Sequence, residues 1–115
     1  MPKTAIISGG ARGIGRCLVR RFCELGYKVY VFDIDEEELK HTTTVHLKQY
    51  YDKKQLESAV VDLRSVDTIR EKVKQAAEWL GGRIHVLVNS GGIATPTWPD
   101  GKTMADFDTI SLWQA

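Results

Sequence analysis

The chain has 115 residues, of which 43% are hydrophobic and 27% are charged, and its 16 Lys and Arg nearly balance its 15 Asp and Glu. This length and composition predict one globular domain, and the balanced charge argues against a polyelectrolyte nucleic-acid binder or a polybasic membrane anchor. No apolar run approaches the ~20 residues of a membrane-spanning helix, and the amino terminus does not resemble a signal peptide.

The first elements are a strand, a glycine-rich turn and a helix. Residues 4–8 predict a buried strand and residues 9–13 the turn. Residues 14–25 predict an amphipathic helix that stops at Gly26, with an apolar face of Ile14, Leu18, Phe22 and Leu25. Cysteines 17 and 23 fall on different faces of this helix, so we expect free thiols, a reducing compartment and a cytoplasmic location.

The middle of the chain continues the alternation. Residues 28–32 predict a second strand, which ends at Asp33. Residues 35–51 are polar and partly helical, but the β-branched run 42–45 makes a helix there doubtful. Residues 56–61 predict a third strand that ends at an aspartate.

A second helix and a fourth strand follow. Ser65 is a plausible N-cap for a helix whose apolar positions are Val66, Ile69, Val73, Ala76 and Leu80. Residues 84–88 predict the fourth strand, residues 95–102 a loop, and residues 103–115 the start of a helix with no stop signal. Alternating strands and helices joined by short connections predict an α/β fold with a parallel sheet that is covered on both faces.

The glycine-rich turn predicts an anion site. Gly9, Gly13 and Gly15 lie between a strand and a helix, where unpaired backbone N–H groups at the helix start attract a pyrophosphate. An ordinary tight turn is the alternative, but a turn that follows a strand and opens a helix is the context in which such glycines bind dinucleotides. The P-loop is excluded because no Gly-Lys-Ser/Thr follows.

An acidic residue at the end of the second strand supports that interpretation. Asp33 stands 18 positions after Gly15, where a carboxylate can accept both hydroxyls of an adenosine ribose and would repel a 2′-phosphate. This favours NAD over NADP, whereas Arg12 in the turn could serve a 2′-phosphate. A helix N-cap or a solvated charge is the other interpretation of Asp33.

These segments resemble the motifs of the short-chain dehydrogenase/reductase family. Residues 8–15, Ser-Gly-Gly-Ala-Arg-Gly-Ile-Gly, resemble the family's Thr-Gly-x-x-x-Gly-Ile-Gly loop. Residues 62–63, Asp-Leu, resemble its adenine-contacting pair, and residues 89–92, Asn-Ser-Gly-Gly, resemble its Asn-Asn-Ala-Gly motif. The departures are all small residues: Ser8, Ser90 and Gly91.

The resemblance implies a Rossmann-type doubly wound sheet in strand order 3-2-1-4, with a nicotinamide dinucleotide in the crevice between strands 1 and 4. It implies hydride transfer between nicotinamide and a small carbonyl or alcohol substrate. Position by position, it assigns Gly9, Arg12, Gly13, Ile14 and Gly15 to the pyrophosphate and nicotinamide side, Asp33 and Ile34 to the ribose and adenine edge, Asp62 and Leu63 to the adenine, and Asn89, Gly91 and Gly92 to the floor beside the ribose.

Catalysis in this family uses Asn, Ser and a Tyr-x-x-x-Lys pair on later elements, so we expect no catalytic residue within these 115 residues. Trp113 resembles the Trp that precedes the catalytic Asn by about two helical turns. Tyr50 and Lys54 share the Tyr-x-x-x-Lys spacing, but they lie between the second and third strands, on the adenine side, so we interpret the spacing as coincidence.

Histidines and a tryptophan have simpler interpretations. His41 and His46 have no carboxylate or thiol at ligand spacing, so no metal site is expected. His85 lies between Ile84 and Val86 in the predicted fourth strand, so we interpret it as a hydrogen-bonded strand residue rather than a catalytic base. Trp98 fits either the roof of a substrate pocket or plain packing.

Two functions from different classes remain, together with a split-enzyme variant of the first. The first is the cofactor-binding half of an NAD-dependent oxidoreductase whose catalytic part lies beyond this sequence, expected to be a homo-oligomer. The second is a non-catalytic NAD-binding sensor or interaction module that associates through its exposed edge strand. The split enzyme would take its Tyr and Lys from another chain.

Overall fold

The computed structural model describes residues 2–11, 13–62 and 64–90. Its strands are β1 (Thr4–Ser8), β2 (Lys28–Asp33), β3 (Leu56–Val60) and β4 (Val86–Asn89). Its helices are α1 (Gly13–Glu24), α2 (Glu36–His41), a π-helix (Thr42–His46), α3 (Lys48–Asp52) and α4 (Val66–Trp79). Every predicted strand is present, and β4 begins two residues later than its apolar run suggests.

The four strands form one parallel sheet in the order β3-β2-β1-β4, which confirms the predicted order 3-2-1-4. The central strand β1 pairs with β2 on one side and with β4 on the other. Ser8, at its carboxyl end, lies opposite both Phe32 and Asn89. The ends of β1, β2 and β4 therefore meet at one edge of the sheet, and the chain order reverses between β1 and β4.

Helices cover both faces of the sheet, and each face has its own core. Because side chains alternate across a strand, neighbouring residues of β1 and β2 enter opposite cores. The core beneath α1 and the helical segment 36–52 consists of Ala5, Ile7, Ala11, Val19, Cys23, Val29, Val31, Leu39, Leu47 and Leu56. The core beneath α4 consists of Ile6, Tyr30, Phe32, Val61, Ala76 and Leu80.

Three residues that were predicted to lie on the buried apolar faces of helices are exposed, and each lies at or next to a helix end. Ile14 is 79% exposed and Leu25 is 57% exposed, because α1 instead turns Gly15, Val19 and Cys23 toward the sheet. Val66, the first residue of α4, is 60% exposed. None of the helices in the described part of the chain is both long and apolar enough to cross a membrane.

The segment in which a helix was doubtful is helical throughout most of its length. Thr42–His46 forms a π-helix, in which the Leu47 N–H donates to the Thr42 carbonyl at 2.8 Å. Thr43 and Thr44 donate their hydroxyls to carbonyl oxygens one turn earlier, at 3.1 and 2.6 Å. These bonds satisfy hydroxyl groups that otherwise compete with helical structure.

The two cysteines lie on different faces of α1, as predicted. Both thiols are free; Cys17 is exposed and Cys23 is buried. Burial, assisted by the charge of Glu24, raises the pKa of Cys23 to about 12. Cys23 is therefore a protonated, unreactive core residue at neutral pH.

The amino terminus of α4 is capped as the sequence predicts. The Ser65 hydroxyl accepts from the Thr68 N–H at 3.4 Å and donates to the Thr68 hydroxyl at 2.8 Å. We expect Ser65→Ala to lower the free energy of unfolding by about 1 kcal/mol in urea denaturation. Ser65→Asp retains a capping oxygen and should retain most of that stability; equal losses in both variants would contradict the capping role.

Candidate functional site

The predicted site residues that the structure describes gather at the carboxyl edge of the sheet. Strands β1, β2 and β4 end there at Ser8, Asp33 and Asn89. The turn that follows β1 leads into α1, so the amino terminus of α1 begins at the same edge. Unpaired N–H groups and the helix dipole make this end of α1 attractive to anions.

The glycines of the turn permit a very close approach of α1 to the end of β1. A Cβ atom on Gly15 would lie 2.0 Å from the Gly9 carbonyl oxygen and 2.7 Å from the Ser90 hydroxyl. Gly9 and Gly13 have φ of +71° and +61°, the left-handed region that favours glycine. Glycine is therefore required at positions 9 and 13 by the backbone conformation, and at position 15 by the close contact with the end of β1.

Gly10 is a fourth sterically required glycine that the sequence analysis did not assign. A Cβ there would lie 2.7 Å from Val31 Cγ1 and 2.9 Å from Val19 Cγ2. The turn thus packs directly on the side chains of β2 and α1. No sequence signal identifies this requirement, since the residues concerned meet only in the folded chain.

Asp33 lies beside the glycine-rich turn. Its Oδ2 accepts from the Ala11 N–H at 3.2 Å, and its Oδ1 accepts from the Asp35 N–H at 3.0 Å. The N-cap of α2 is Asp35, whose side chain accepts from the Glu38 N–H at 3.1 Å. Asp33 is therefore not the helix cap, and each of its oxygens retains acceptor capacity for a further donor.

Hydrogen bonds join the ends of β1 and β4. The Ser8 hydroxyl donates to Asn89 Oδ1 at 2.6 Å. The Ser90 hydroxyl donates to the Ser8 carbonyl oxygen at 2.9 Å and approaches the Gly9 carbonyl oxygen at 3.3 Å. These bonds fix the carboxyl ends of β1 and β4 relative to each other.

Asp62, just beyond β3, forms a two-point ion pair with Arg64. Its Oδ1 accepts from Arg64 Nε at 3.0 Å, and its Oδ2 accepts from Arg64 Nη2 at 2.9 Å. These side-chain bonds, together with the bond from the Arg64 backbone N–H, lower the pKa of Asp62 from 3.8 to about 2. Asp62 is thus ionised throughout the physiological range.

We expect Arg64→Gln to return the pKa of Asp62 toward 3.8, measured from the pH dependence of its carboxyl resonance. The lowered pKa in the folded state means that the pair stabilises the fold above about pH 4, and that this stabilisation disappears as pH falls through about 2. Arg83→Gln is the control variant. An unchanged Asp62 titration in Arg64→Gln would contradict the assignment of the cause.

Some predicted residues lie outside the part of the chain that the structure describes: Arg12, Leu63, Gly91, Gly92, Trp98, Trp113 and the predicted loop and helix of residues 95–115. Ile34, directly after Asp33, is 58% exposed, and Ile14 is exposed at the start of α1. Both apolar side chains therefore lie uncovered near the turn.

Tyr50 and Lys54 lie away from the site. Tyr50 packs at the edge of the core beneath α1, and Lys54 occupies the turn that leads into the amino end of β3. Because the strands are parallel, this is the edge opposite the glycine-rich turn.

His85 directly precedes β4. Its Nδ1 accepts from the Thr4 N–H at 3.0 Å, in agreement with a hydrogen-bonded structural role. Among the described residues, no group of three or more His, Cys, Asp or Glu side chains is arranged to hold a metal ion, and this includes His41 and His46.

Comparison with known proteins identifies the family that the sequence motifs resemble, the short-chain dehydrogenases. The profile of the short chain dehydrogenase family matches residues 3–114. The chain is 36% identical over 91 residues to 3beta-hydroxysteroid dehydrogenase 2 of Eggerthella lenta, an alignment that covers 79% of this chain and 34% of the relative.

Solved structures share the fold. The actinorhodin polyketide ketoreductase, solved with NADPH, superposes with a TM-score of 0.75 at 27% identity over 98% of this chain and 40% of that chain. A short-chain dehydrogenase/reductase of Burkholderia phymatum, solved with NAD, superposes with a TM-score of 0.74 over 91% of this chain and 36% of that chain; at 23% identity it supports the fold alone.

The chain spans about a third of the curated relatives it matches, 38% of a tropinone reductase homolog of Arabidopsis thaliana and 34% of the Eggerthella enzyme. Its parallel sheet in the order 3-2-1-4 with helices on both faces is the Rossmann-type arrangement. Together with the family match over residues 3–114, this arrangement shows that the chain belongs to the short-chain dehydrogenase family of oxidoreductases.

Proposed function

We propose that residues 1–115 form the NAD(H)-binding part of an oxidoreductase that transfers hydride between nicotinamide and a small carbonyl or alcohol substrate. The observation that carries this proposal is the contact at Gly15, where no Cβ fits between α1 and the Gly9 carbonyl. That contact brings the start of α1, where backbone N–H groups have no partner within the helix, to the end of β1. When bound, the dinucleotide supplies the hydride acceptor or donor.

The diphosphate of the dinucleotide would bind at the amino terminus of α1. Backbone N–H groups around Gly13, Ile14 and Gly15 carry the positive end of the helix dipole. Gly9 and Arg12 would border the same group, and the exposed Ile14 would contact the nicotinamide side. The first turn of α1 contains no acidic side chain that would repel a phosphate.

The adenosine ribose would bind at Asp33. The two bonds from Ala11 and Asp35 hold its carboxylate at the tip of β2, beside the turn, and each oxygen can accept one ribose hydroxyl in addition. A 2′-phosphate at this place would meet a like charge, which favours NAD over NADP. Ile34, 58% exposed, would cover the adenine edge.

The adenine and the inner ribose would meet the ends of β3 and β4. Asp62 and Leu63 would contact the adenine, with Asp62 held ionised by Arg64 and able to accept from the adenine amino group. Asn89, fixed by the Ser8 hydroxyl, would form the floor beside the ribose together with Gly91 and Gly92. We further propose a cytoplasmic homo-oligomer as the working form.

The test is a fluorescence titration of the intact polypeptide that contains this sequence with NADH, followed by competition with ADP. We expect saturable NADH binding that ADP reverses, because the residues described here would hold the ADP half. Carbonyl-dependent oxidation of NADH by the same protein would establish the enzymatic function. NADH binding without turnover of any carbonyl would favour the sensor module, and no binding at millimolar NADH would contradict both.

A further inference from the structure

Thr42 is a buried polar residue outside every predicted motif, and it contacts the glycine-rich turn. Its side chain is fully buried, and its hydroxyl donates to the Ala11 carbonyl oxygen at 2.6 Å across 31 residues of sequence. Thr42 is the first residue of the π-helix, so this bond ties the helical segment 36–52 directly to the turn.

The bond completes a clamp on Ala11. The N–H of Ala11 donates to Asp33 Oδ2 at 3.2 Å, while its carbonyl oxygen accepts from Thr42. Arg16 Nη1 lies 3.5 Å from the same oxygen, at the limit of a hydrogen bond, and Arg16 also pairs with Glu38 at 3.9 Å. Thr42 therefore supplies the principal donor to a carbonyl group that is otherwise buried.

Hydrogen bonds on both sides restrain the backbone of Thr42, and this restraint fixes the position of its hydroxyl. Its N–H bonds to the carbonyl oxygens of Glu38 and Leu39, and its carbonyl oxygen accepts from the Leu47 N–H at 2.8 Å. π-Helical turns are rare, and those that occur within helices are often found at functional sites. Here the π-turn begins at the residue that contacts the turn.

The bond from Thr42 restrains the turn at the Ala11 carbonyl group, between two glycines of left-handed conformation, Gly9 and Gly13. The peptide bond is planar, so the direction of the carbonyl oxygen sets the orientation of the whole peptide group that leads toward α1. Gly13, which opens α1 at a φ of +61°, has no side chain to restrain it. Without the Thr42 bond, we expect the turn to reach conformations whose N–H groups do not converge on one anion.

We propose that Thr42 is a positioning residue that holds the glycine-rich turn in its dinucleotide-binding conformation before the ligand arrives. This inference rests on the proposed dinucleotide site. Apparent affinity falls in proportion to the fraction of molecules that have the competent conformation, so loss of the clamp weakens binding without removing any ligand contact.

The test compares three variants of the intact polypeptide in NADH titrations. Thr42→Val keeps the shape and removes the hydroxyl; we expect its Kd for NADH to rise about five- to tenfold. Thr42→Ser restores the hydroxyl and should bind within about twofold of the wild type. Thr43→Val is the matched control, because Thr43 is also buried but donates within its own helical segment, to the Leu39 carbonyl.

A second readout follows the turn without ligand. Thr42→Val should accelerate hydrogen exchange of the Ala11 amide in the free protein, and saturating NADH should restore its protection. Wild-type affinity in Thr42→Val, or equal weakening in Thr43→Val, would overturn the positioning role and leave the proposed function intact. If the wild type itself binds no NADH, the proposed function fails and the positioning role fails with it.

Discussion

Replacing Gly15 by alanine is expected to raise the Kd for NADH by about 100-fold and to lower the free energy of unfolding by about 1–3 kcal/mol. The added Cβ would stand 2.0 Å from the Gly9 carbonyl oxygen and 2.8 Å from the Gly9 carbonyl carbon. Both are backbone atoms, which cannot rotate away as a side chain can. α1 must therefore move off the end of β1, and its N–H groups leave the sheet edge.

Two controls separate this contact from a general cost of replacing glycine. Gly81→Ala introduces strain at a φ of +89° with nothing within 4 Å, so it should cost about 1 kcal/mol of stability and leave NADH binding unchanged. Adding Ser90→Ala to Gly15→Ala should not restore binding, because the nearest obstacle is backbone. NADH affinity of Gly15→Ala equal to that of the wild type would contradict the close approach at the site.

Replacing Asp33 by asparagine is expected to shift the cofactor preference from NADH toward NADPH. The variant loses the carboxylate whose two oxygens would accept the ribose hydroxyls, so its Kd for NADH should rise about 10- to 100-fold. The same change removes the repulsion of a 2′-phosphate, so the Kd for NADPH should stay constant or fall. Parallel titrations with NADH and NADPH measure the ratio directly.

The control for charge alone is Asp52→Asn at the opposite edge of the sheet. Asp52 pairs with Lys48 at 2.5 Å on the surface of α3, away from the turn. This variant should bind both cofactors as the wild type does. An unchanged ratio of NADH to NADPH affinity in Asp33→Asn would contradict the assignment of the ribose to that carboxylate.

The α/β class and the parallel sheet could be predicted from the residue pattern, whereas the strand order followed from the resemblance to the short-chain dehydrogenase/reductase family. Apolar runs of strand length, separated by amphipathic helices, leave few topologies once crossovers are right-handed. The glycines at 9, 13 and 15 and the acidic residue 18 positions later depend on chain spacing alone. These features are local, so the sequence displays them directly.

Features that depend on distances between segments could not be predicted. The requirement for glycine at position 10 arises from Val31 and Val19, and the role of Thr42 arises from a carbonyl group 31 residues away. The exposure of Ile14 follows from the same cause, since α1 turns Gly15 to the sheet to approach β1. The β-branched run 42–45 argued against a helix, but the Thr43 and Thr44 hydroxyls bond to carbonyl oxygens one turn earlier and the Thr42 hydroxyl bonds to Ala11.

The most direct measurement follows the backbone amide resonances of Gly13 and Gly15 while NADH is added to the intact polypeptide. The account predicts saturable shifts at both amides, with the Asp33 carboxyl resonance responding over the same NADH concentrations. It also predicts that ADP alone produces the same pattern. Tight NADH binding that leaves these three groups unchanged would place the cofactor elsewhere and contradict the account.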